Sequence, residues 1–312
     1  MFKKLIFTLG AAMVMVAPAA EIEWMSDLKI AGKKAAAENK LLLVEFTGSD
    51  WCRYCIIQKK DVLDKPEFAE WAEKHCIAVE IDVPHDAALV GGAEKKEANQ
   101  KLCEEYGISS FPSLMLMSPE GVLIGGYNGA QSSPQAAIAT LENHFPTAKE
   151  FNAAMKKKKT ARAKALKAIY DHQPEGIRKG NFKLMELIAK ADKDNKTGIQ
   201  DQYRPIKQMR TMNAKLSKTT DVEERLGIID ETLEKAYPEN KNSILKLKES
   251  ELFTAALRLM KNPASVDDVC KARDYYLRSA ECSGDSTKIE QINRYYADPE
   301  KVYQEILQKK KQ

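Results

Sequence analysis

The sequence predicts a small α/β sheet domain followed by an all-α domain, and three observations carry that prediction. Short apolar runs alternate with amphipathic stretches up to residue 146, and a turn signal joins the last two runs as a hairpin. Beyond Pro146 strand-like runs cease, glycine becomes rare and apolar residues recur at helical spacing. The predicted division is therefore a leader over 1–19, an α/β domain over 20–146 and a helical domain over 147–312.

Taken in order, Trp24 to Asn39 has helical composition, with Ser26 as its N-cap. Leu41 to Phe46 is an apolar run closed by Thr47-Gly48-Ser49, the signature of a buried strand. Asp50-Trp51-Cys52-Arg53-Tyr54-Cys55 then opens an amphipathic stretch to Asp64. Pro66 starts a helix to Lys74, and the β-branched run Ile77 to Val83 is a second buried strand. A polar loop from Pro84 to Lys96 precedes a helix from Glu97 to Tyr106, stopped by Gly107. Leu114 to Met117 and Val122 to Ile124 form a hairpin around Pro119-Glu120-Gly121, and Ser133 to His144 closes the domain as a helix.

The remainder predicts seven or eight helices, packed as a bundle or as a solenoid of helix pairs without a fixed repeat period. Leu226, Ile229, Leu233 and Ala236 make one apolar stripe; Leu252, Ala255, Ala256 and Leu259 make another. Lys156 to Lys159 reads as a solvated helix face.

Lys3 and Lys4, the apolar Leu5 to Val16 and the small residues Ala17-Pro18-Ala19 have the build of a cleaved secretory signal peptide. The expected location is periplasmic or secreted, with no stable membrane insertion after cleavage. The formal charge is +4, too near balance to indicate a nucleic-acid partner. Export also changes how the six cysteines are read, because disulfides persist in oxidising compartments.

Cys52 and Cys55 carry the chemistry. A nucleophilic sulfur must be a thiolate, and the first turn of a helix stabilises an anion through unpaired N–H groups and the dipole. Arg53 acts in the same sense, and Cys55 lies one turn on, where it can attack a mixed disulfide. Three other readings of the pair stay open. Half of a zinc site lacks a second Cys/His pair; Cu(I) held by both thiolates has His85 as its one nameable third ligand; a purely structural bridge is the third.

The segment Val44 to Cys55, together with Gly107-Ile108 and Phe111-Pro112-Ser113, resembles the thioredoxin-like family, and within it exported bacterial members with a lengthened turn before Trp-Cys. The resemblance covers Trp24 to His144. It implies a central mixed sheet flanked by helices and thiol-disulfide exchange with protein substrates and a redox partner protein, without a cofactor. It further implies Cys52 as the exposed attacking thiol, Cys55 as the resolving one, and Pro112 as a cis proline with Phe111 offering backbone to the substrate. Glu45 falls at the family's buried acid, which assists proton transfer at the resolving cysteine, and Trp51 shields the site. Arg53-Tyr54 departs from the Gly-Pro of reducing thioredoxins; Tyr54 is similar to some periplasmic isomerases, and Arg53 favours the reduced pair. Trp51, Arg53, Tyr54, Phe111 and His85 are thus the substrate-facing candidates.

If the strand Ile77 to Val83 runs up and the helix Glu97 to Tyr106 runs back, Cys76 and Cys103 meet at one edge, giving an expected structural disulfide with two free thiols as the alternative. Cys270 and Cys282 share one helix about 18 Å apart, too far to bond. The loop from Pro84, with His85, emerges at the strand end where open α/β sheets place their sites. Three functional classes follow. One is a thiol-disulfide reductase or isomerase whose helical domain supplies a binding or oligomer surface. Another is a helical partner-binding protein with a redox latch, and the third is a Cu(I)-handling thioredoxin-like chaperone.

Overall fold

A computed structural model describes residues 21–310; the signal-peptide reading lies outside them. The chain forms two compact units, one through Ile199 and one from Gln200.

In the first unit, helix α1 (Leu28–Glu38) is capped by Asp27, whose carboxylate accepts from the amides of Lys29 and Ile30. Asp27 replaces the expected Ser26, a shorter side chain one residue further out. Strand β1 (Leu41–Thr47) leads into α2 (Arg53–Gln58), which continues as a π-helical turn over Lys59–Leu63. Helix α3 (Pro66–His75) and strand β2 (Cys76–Asp82) follow. A single 3-10 turn, Ala87–Val90, interrupts the next loop, and α4 (Ala93–Tyr106) begins four residues before the expected start. Strands β3 (Ser113–Met117) and β4 (Leu123–Asn128) form the hairpin, and α5 (Pro134–Glu142) closes it.

The sheet order is β2-β1-β3-β4, with β1 parallel to β2 and antiparallel to β3, and β4 antiparallel to β3. Met25 adds an isolated parallel bridge to Val79 at the outer edge. Alternation along the strands divides the sheet into two chemically distinct faces. Leu42, Val44 and Phe46 of β1 share a core with Ile77, Val79 and Ile81 of β2, with Ala31 and Ala35 of α1, and with Cys103 and Tyr106 of α4. Glu45 and Glu80, adjacent in register, point to the opposite face.

That alternation overturns the expected Cys76–Cys103 disulfide. Cys103 belongs to the core on the α1/α4 face, whereas Cys76, one residue before Ile77, points to the other side. Both are free buried thiols. Burial raises the thiol of Cys76 to about 12 and that of Cys103 to about 11, so neither is poised to ionise. The sheet lies between the two sulfurs.

Four more helices pack in the first unit: α6 (Phe145–Met155), α7 (Lys159–His172), α8 (Glu175–Gly180) and α9 (Phe182–Ala191). Lys156 to Lys159 is exposed, but its first three residues link α6 to α7 and only Lys159 belongs to a helix, so it forms no helix face. Asn181, fully buried, closes the free edge of β4 in place of a fifth strand. Its Nδ2 donates to Leu123 O at 2.8 Å and its Oδ1 accepts from Leu123 N at 3.3 Å, while Gln173 Nε2 donates to the same carbonyl. Gly180 beside it permits the approach, since a Cβ there would stand 2.1 Å from Tyr106 O. The change of composition at residue 146 marks where strands end, while the compact unit runs on to Ile199.

The second unit contains most of α10 (Ile199–Leu216), then α11 (Val222–Glu234), α12 (Pro238–Lys261), α13 (Val266–Ser283), α14 (Ser286–Tyr295) and α15 (Pro299–Lys309). Ten helices thus follow Asn143 among the described residues, against the seven or eight expected, because Asn181 and the Ser217–Asp221 link break stretches that read as continuous. Their cores are successive layers. Met212, Ile229 and Ile244 join α10 to α12; Leu226, Leu252 and Tyr275 join α11 to α13; Val269, Tyr296 and Val302 close the end. Cys270 and Cys282 lie on α13, both as free thiols.

Two outcomes are expected. Asn181→Ala, which takes the partner from the Leu123 N–H and from Gln173 Oε1 while leaving Gln173 Nε2 on the Leu123 carbonyl, should lower stability by about 2–3 kcal/mol in urea denaturation. Alkylation of denatured, unreduced protein followed by peptide mapping should recover Cys76 and Cys103 as thiols and not as a cross-linked pair.

Candidate active site

Cys52 and Cys55 form a disulfide with a Cα separation of 5.2 Å. The local sequence explains the placement. After β1 the chain turns at Gly48, whose carbonyl accepts from the amides of Trp51 and Cys52. A Cβ on Gly48 would stand 2.4 Å from the Trp51 indole, so only glycine lets the ring lie flat on the turn. Cys52 is then the N-cap of α2, in extended conformation, and its sulfur accepts from the Cys55 amide at 3.2 Å. A first-turn N–H thus points at the sulfur that would carry negative charge after reduction. Arg53 and Tyr54 are both exposed on the same turn, Tyr54 at 64%.

Accessibility separates the two sulfurs less than expected. Cys52 is 7% exposed and Cys55 1% exposed. Cys52 remains the more open of the pair, but it sits in a narrow opening instead of on an open surface. Trp51 is stacked on His85 at 5.7 Å between centroids and meets Phe111 edge-on at 5.6 Å. The indole N–H donates to Val83 O at 2.9 Å. The Phe111–Pro112 peptide bond is cis. Pro112 is buried, with its carbonyl accepting from the Gly129 amide, and Phe111 remains partly open. Tertiary packing thus brings Trp51, Phe111 and His85 into one aromatic cluster beside the disulfide turn.

Glu45 lies on the face of the sheet turned toward α2. It is 1% exposed, and neither carboxyl oxygen has a hydrogen-bond partner in the protein. Loss of hydration is the main cause that pushes its pKa up to about 8; the neighbouring Glu80 carboxylate adds to the shift and Lys59 opposes it. Lys59 donates to Glu80 Oε1 at 3.0 Å. Burial alone would depress the Lys59 ammonium, but the bond and charge of Glu80 more than offset that and raise it. Lys59, Glu80, Thr47, Ser49 and Cys55 line a cleft of about 250 Å3. This cleft gives the Cys55 sulfur a polar approach beside Glu80, the register neighbour of Glu45.

Several positioning residues carried no motif in the sequence. Asp82, at the end of β2, accepts from Ser49 N at 2.9 Å and Ser49 Oγ at 2.6 Å. Asp50 reaches the other way and accepts from the amides of His85 and Asp86 at 2.8 and 2.9 Å. The Asp86 amide, and then that of His85, hold the Asp50 carboxyl below the usual carboxylate range. Gln58 is buried one turn beyond Cys55; it donates to Tyr127 OH at 2.7 Å and accepts from the Gln131 amide at 2.7 Å. The signal for Asp50 and Asp82 was present only as acids flanking a turn and a strand end, which is common. Gln58 had a detectable signal, a polar residue on the buried side of an amphipathic helix.

Among the described residues, no group of three His, Cys, Asp or Glu side chains is placed to hold a metal, and no helix is long and apolar enough to cross a membrane.

The Glu45 carboxyl predicts a pH dependence of stability. Its folded value, about 8, stands above its ordinary value of 4.5, so the folded state binds the extra proton between those limits. The group's contribution is fully present below the ordinary value and is lost as pH rises through the folded one. Wild-type protein should therefore lose stability relative to Glu45→Gln between pH 5 and pH 9, by a few kcal/mol. Denaturant titrations of both proteins at the two pH values check this; a parallel pair of curves would refute it.

Residues 28–145 match the family model of the thioredoxin-like domain. The disulfide bond reductase DsbH of Chlamydia pneumoniae is 33% identical over 103 residues, 33% of this chain and 60% of that protein. The thioredoxin-related protein DsbJ of the same organism is 30% identical over 99 residues, 32% of this chain and 28% of that one. The chain thus spans less than two thirds of the length of either curated relative. A solved structure of DsbH oxidoreductase aligns over 44% of this chain and 95% of its own at 26% identity, with a TM-score of 0.39. With its mixed four-stranded sheet flanked by helices, the segment 28–145 is a thioredoxin-like domain, and the chain continues past it into a region built of helices.

Proposed function

We propose that this protein is an exported thiol-disulfide oxidoreductase that exchanges disulfides with protein substrates through Cys52 and Cys55, as a reductase or an isomerase. The observation that carries the reading is the Cys52–Cys55 disulfide at the start of α2, with the Cys52 sulfur accepting a first-turn amide. The names of the two relatives, a disulfide bond reductase and a thioredoxin-related protein, support it.

In the reducing direction the Cys52 thiolate attacks one sulfur of a substrate disulfide, forming a mixed disulfide and releasing the other substrate sulfur as a thiolate. Cys55 then attacks the Cys52 sulfur, its proton passing to ionised Glu45, and the second substrate sulfur leaves and is protonated from solvent. The substrate gains two electrons and the pair returns to the disulfide. A partner dithiol restores it. Glu45 suits this role because a carboxyl near pKa 8 exchanges protons near neutrality. Pro112 and Phe111 act as the backbone rail for an extended substrate, with Trp51, Arg53, Tyr54 and His85 around the opening. If the substrate is a mispaired protein, a different substrate thiolate can attack the substrate sulfur of the mixed disulfide, forming a new substrate disulfide and expelling the Cys52 thiolate, so that isomerisation is the net result.

A second reading, partner binding by the helical unit with the disulfide as a latch, is favoured by a cleft of about 730 Å3 lined by Phe253, Tyr276, Tyr295 and Tyr296. Thiol reactivity separates the two. An exchanger has a reduced Cys52 that alkylates at neutral pH faster than a free cysteine, whereas a latch does not require it.

Cys52→Ser is expected to abolish insulin reduction and the refolding of scrambled ribonuclease, while Cys55→Ser accumulates the mixed disulfide with substrate. Turnover retained by Cys52→Ser would sink the reading. The reduction potential of the pair is expected above that of a thioredoxin, above about −270 mV, because Arg53 and the helix start favour the thiolate.

A further inference from the structure

The loop after β2 is tied into the redox turn by two carboxylates that cross. Asp82 leaves the end of β2 to hold Ser49, and Asp50 leaves the turn to hold the amides of His85 and Asp86. Asp86 in turn caps the 3-10 turn by accepting from Ala88 N at 2.9 Å, and Lys96 Nζ donates to His85 O at 3.1 Å. An exposed loop ending in Gly91 and Gly92, where a Cβ would meet nothing within 4 Å, has little packing of its own to fix it. The Asp50 clasp supplies that constraint, and its geometric result is the His85 imidazole stacked on Trp51, the residue that precedes Cys52.

The three rings make a bent wall at the opening. Trp51 is 41% exposed, His85 is exposed and Phe111 closes the wall edge-on. Such exposed aromatic area offers contact to an aromatic or large apolar side chain, and offers little to a glycine. We propose that Asp50 is a positioning residue for substrate selection: by holding His85 against Trp51 it builds a wall that prefers disulfides whose cysteine is flanked by an aromatic residue. The proposal rests on the exchange reading above and names the class of substrate that the site favours. Asp50 itself touches neither substrate nor sulfur; it acts through the position of His85.

The test uses full-length protein and two cyclic disulfide peptides of equal ring size, one with Phe and one with Gly beside a cysteine, comparing the ratio of their kcat/KM values. Wild-type protein is expected to prefer the Phe peptide by about three- to tenfold. Asp50→Ala and His85→Ala should each bring the ratio toward one, mainly through KM for the Phe peptide, with Asp50→Asn between wild-type protein and Asp50→Ala because it keeps one acceptor oxygen. The reduction potential of the Cys52–Cys55 pair should stay unchanged in all three. His85→Ala keeps the test decisive if Asp50→Ala fails to fold. A wild-type ratio of one, a ratio untouched by either alanine, or an equal loss on both peptides overturns the proposal while leaving exchange intact. Failure of wild-type protein to reduce either peptide overturns the exchange reading, and this proposal with it.

Discussion

The site depends on a sulfur placed where a helix begins with its amides unpaired. Every neighbouring feature serves that placement. Gly48 lets the turn close under Trp51, Cys52 takes the extended N-cap conformation, and the Cys55 amide points at its sulfur. Because α2 is short, it has little intrinsic stability. Tertiary contacts hold it instead: Gln58 bonds to Tyr127 and to the Gln131 amide, and Lys59 bonds to Glu80. The helix that begins at the disulfide is a product of the sheet beneath it.

Burial of charge follows the same logic. Glu45 and Glu80 are neighbours in register on one face of the sheet, and only one of them is compensated. Lys59 takes Glu80, which leaves Glu45 enclosed and without a hydrogen-bond partner. A carboxyl so placed is costly when ionised. The pKa raised to about 8 keeps it protonated below that value. The opposite face of the sheet carries no such group: it is a continuous apolar core against α1 and α4.

The fold was largely legible. The alternation of apolar runs and amphipathic stretches placed every strand within two residues at its start, and the Trp-Cys-X-X-Cys segment stood at the strand-to-helix turn where it was expected. Pro112 is cis, as the resemblance implied. Cys76 shows where this kind of inference stops. The order of strand and helix says nothing of the pleat, and the pleat turns the Cys76 sulfur to the face opposite Cys103. Asn181 was equally unreadable, since an asparagine between two helices reveals nothing of the strand edge it closes. Asp50 and Asp82 bond to groups more than thirty residues away, a separation over which composition and periodicity carry no information.

What the sequence by itself determined was local: which stretches become strand or helix, and that two cysteines fall one turn apart at a helix start. Periodicity and capping act over a few residues, so a linear pattern contains them. Only the tertiary structure decided which cysteines remain apart, which carboxylate is stripped of water, and that His85 comes to lie on Trp51. Those outcomes depend on sheet faces, side-chain direction and hydrogen bonds between distant segments, and such relations exist only once the chain has closed on itself.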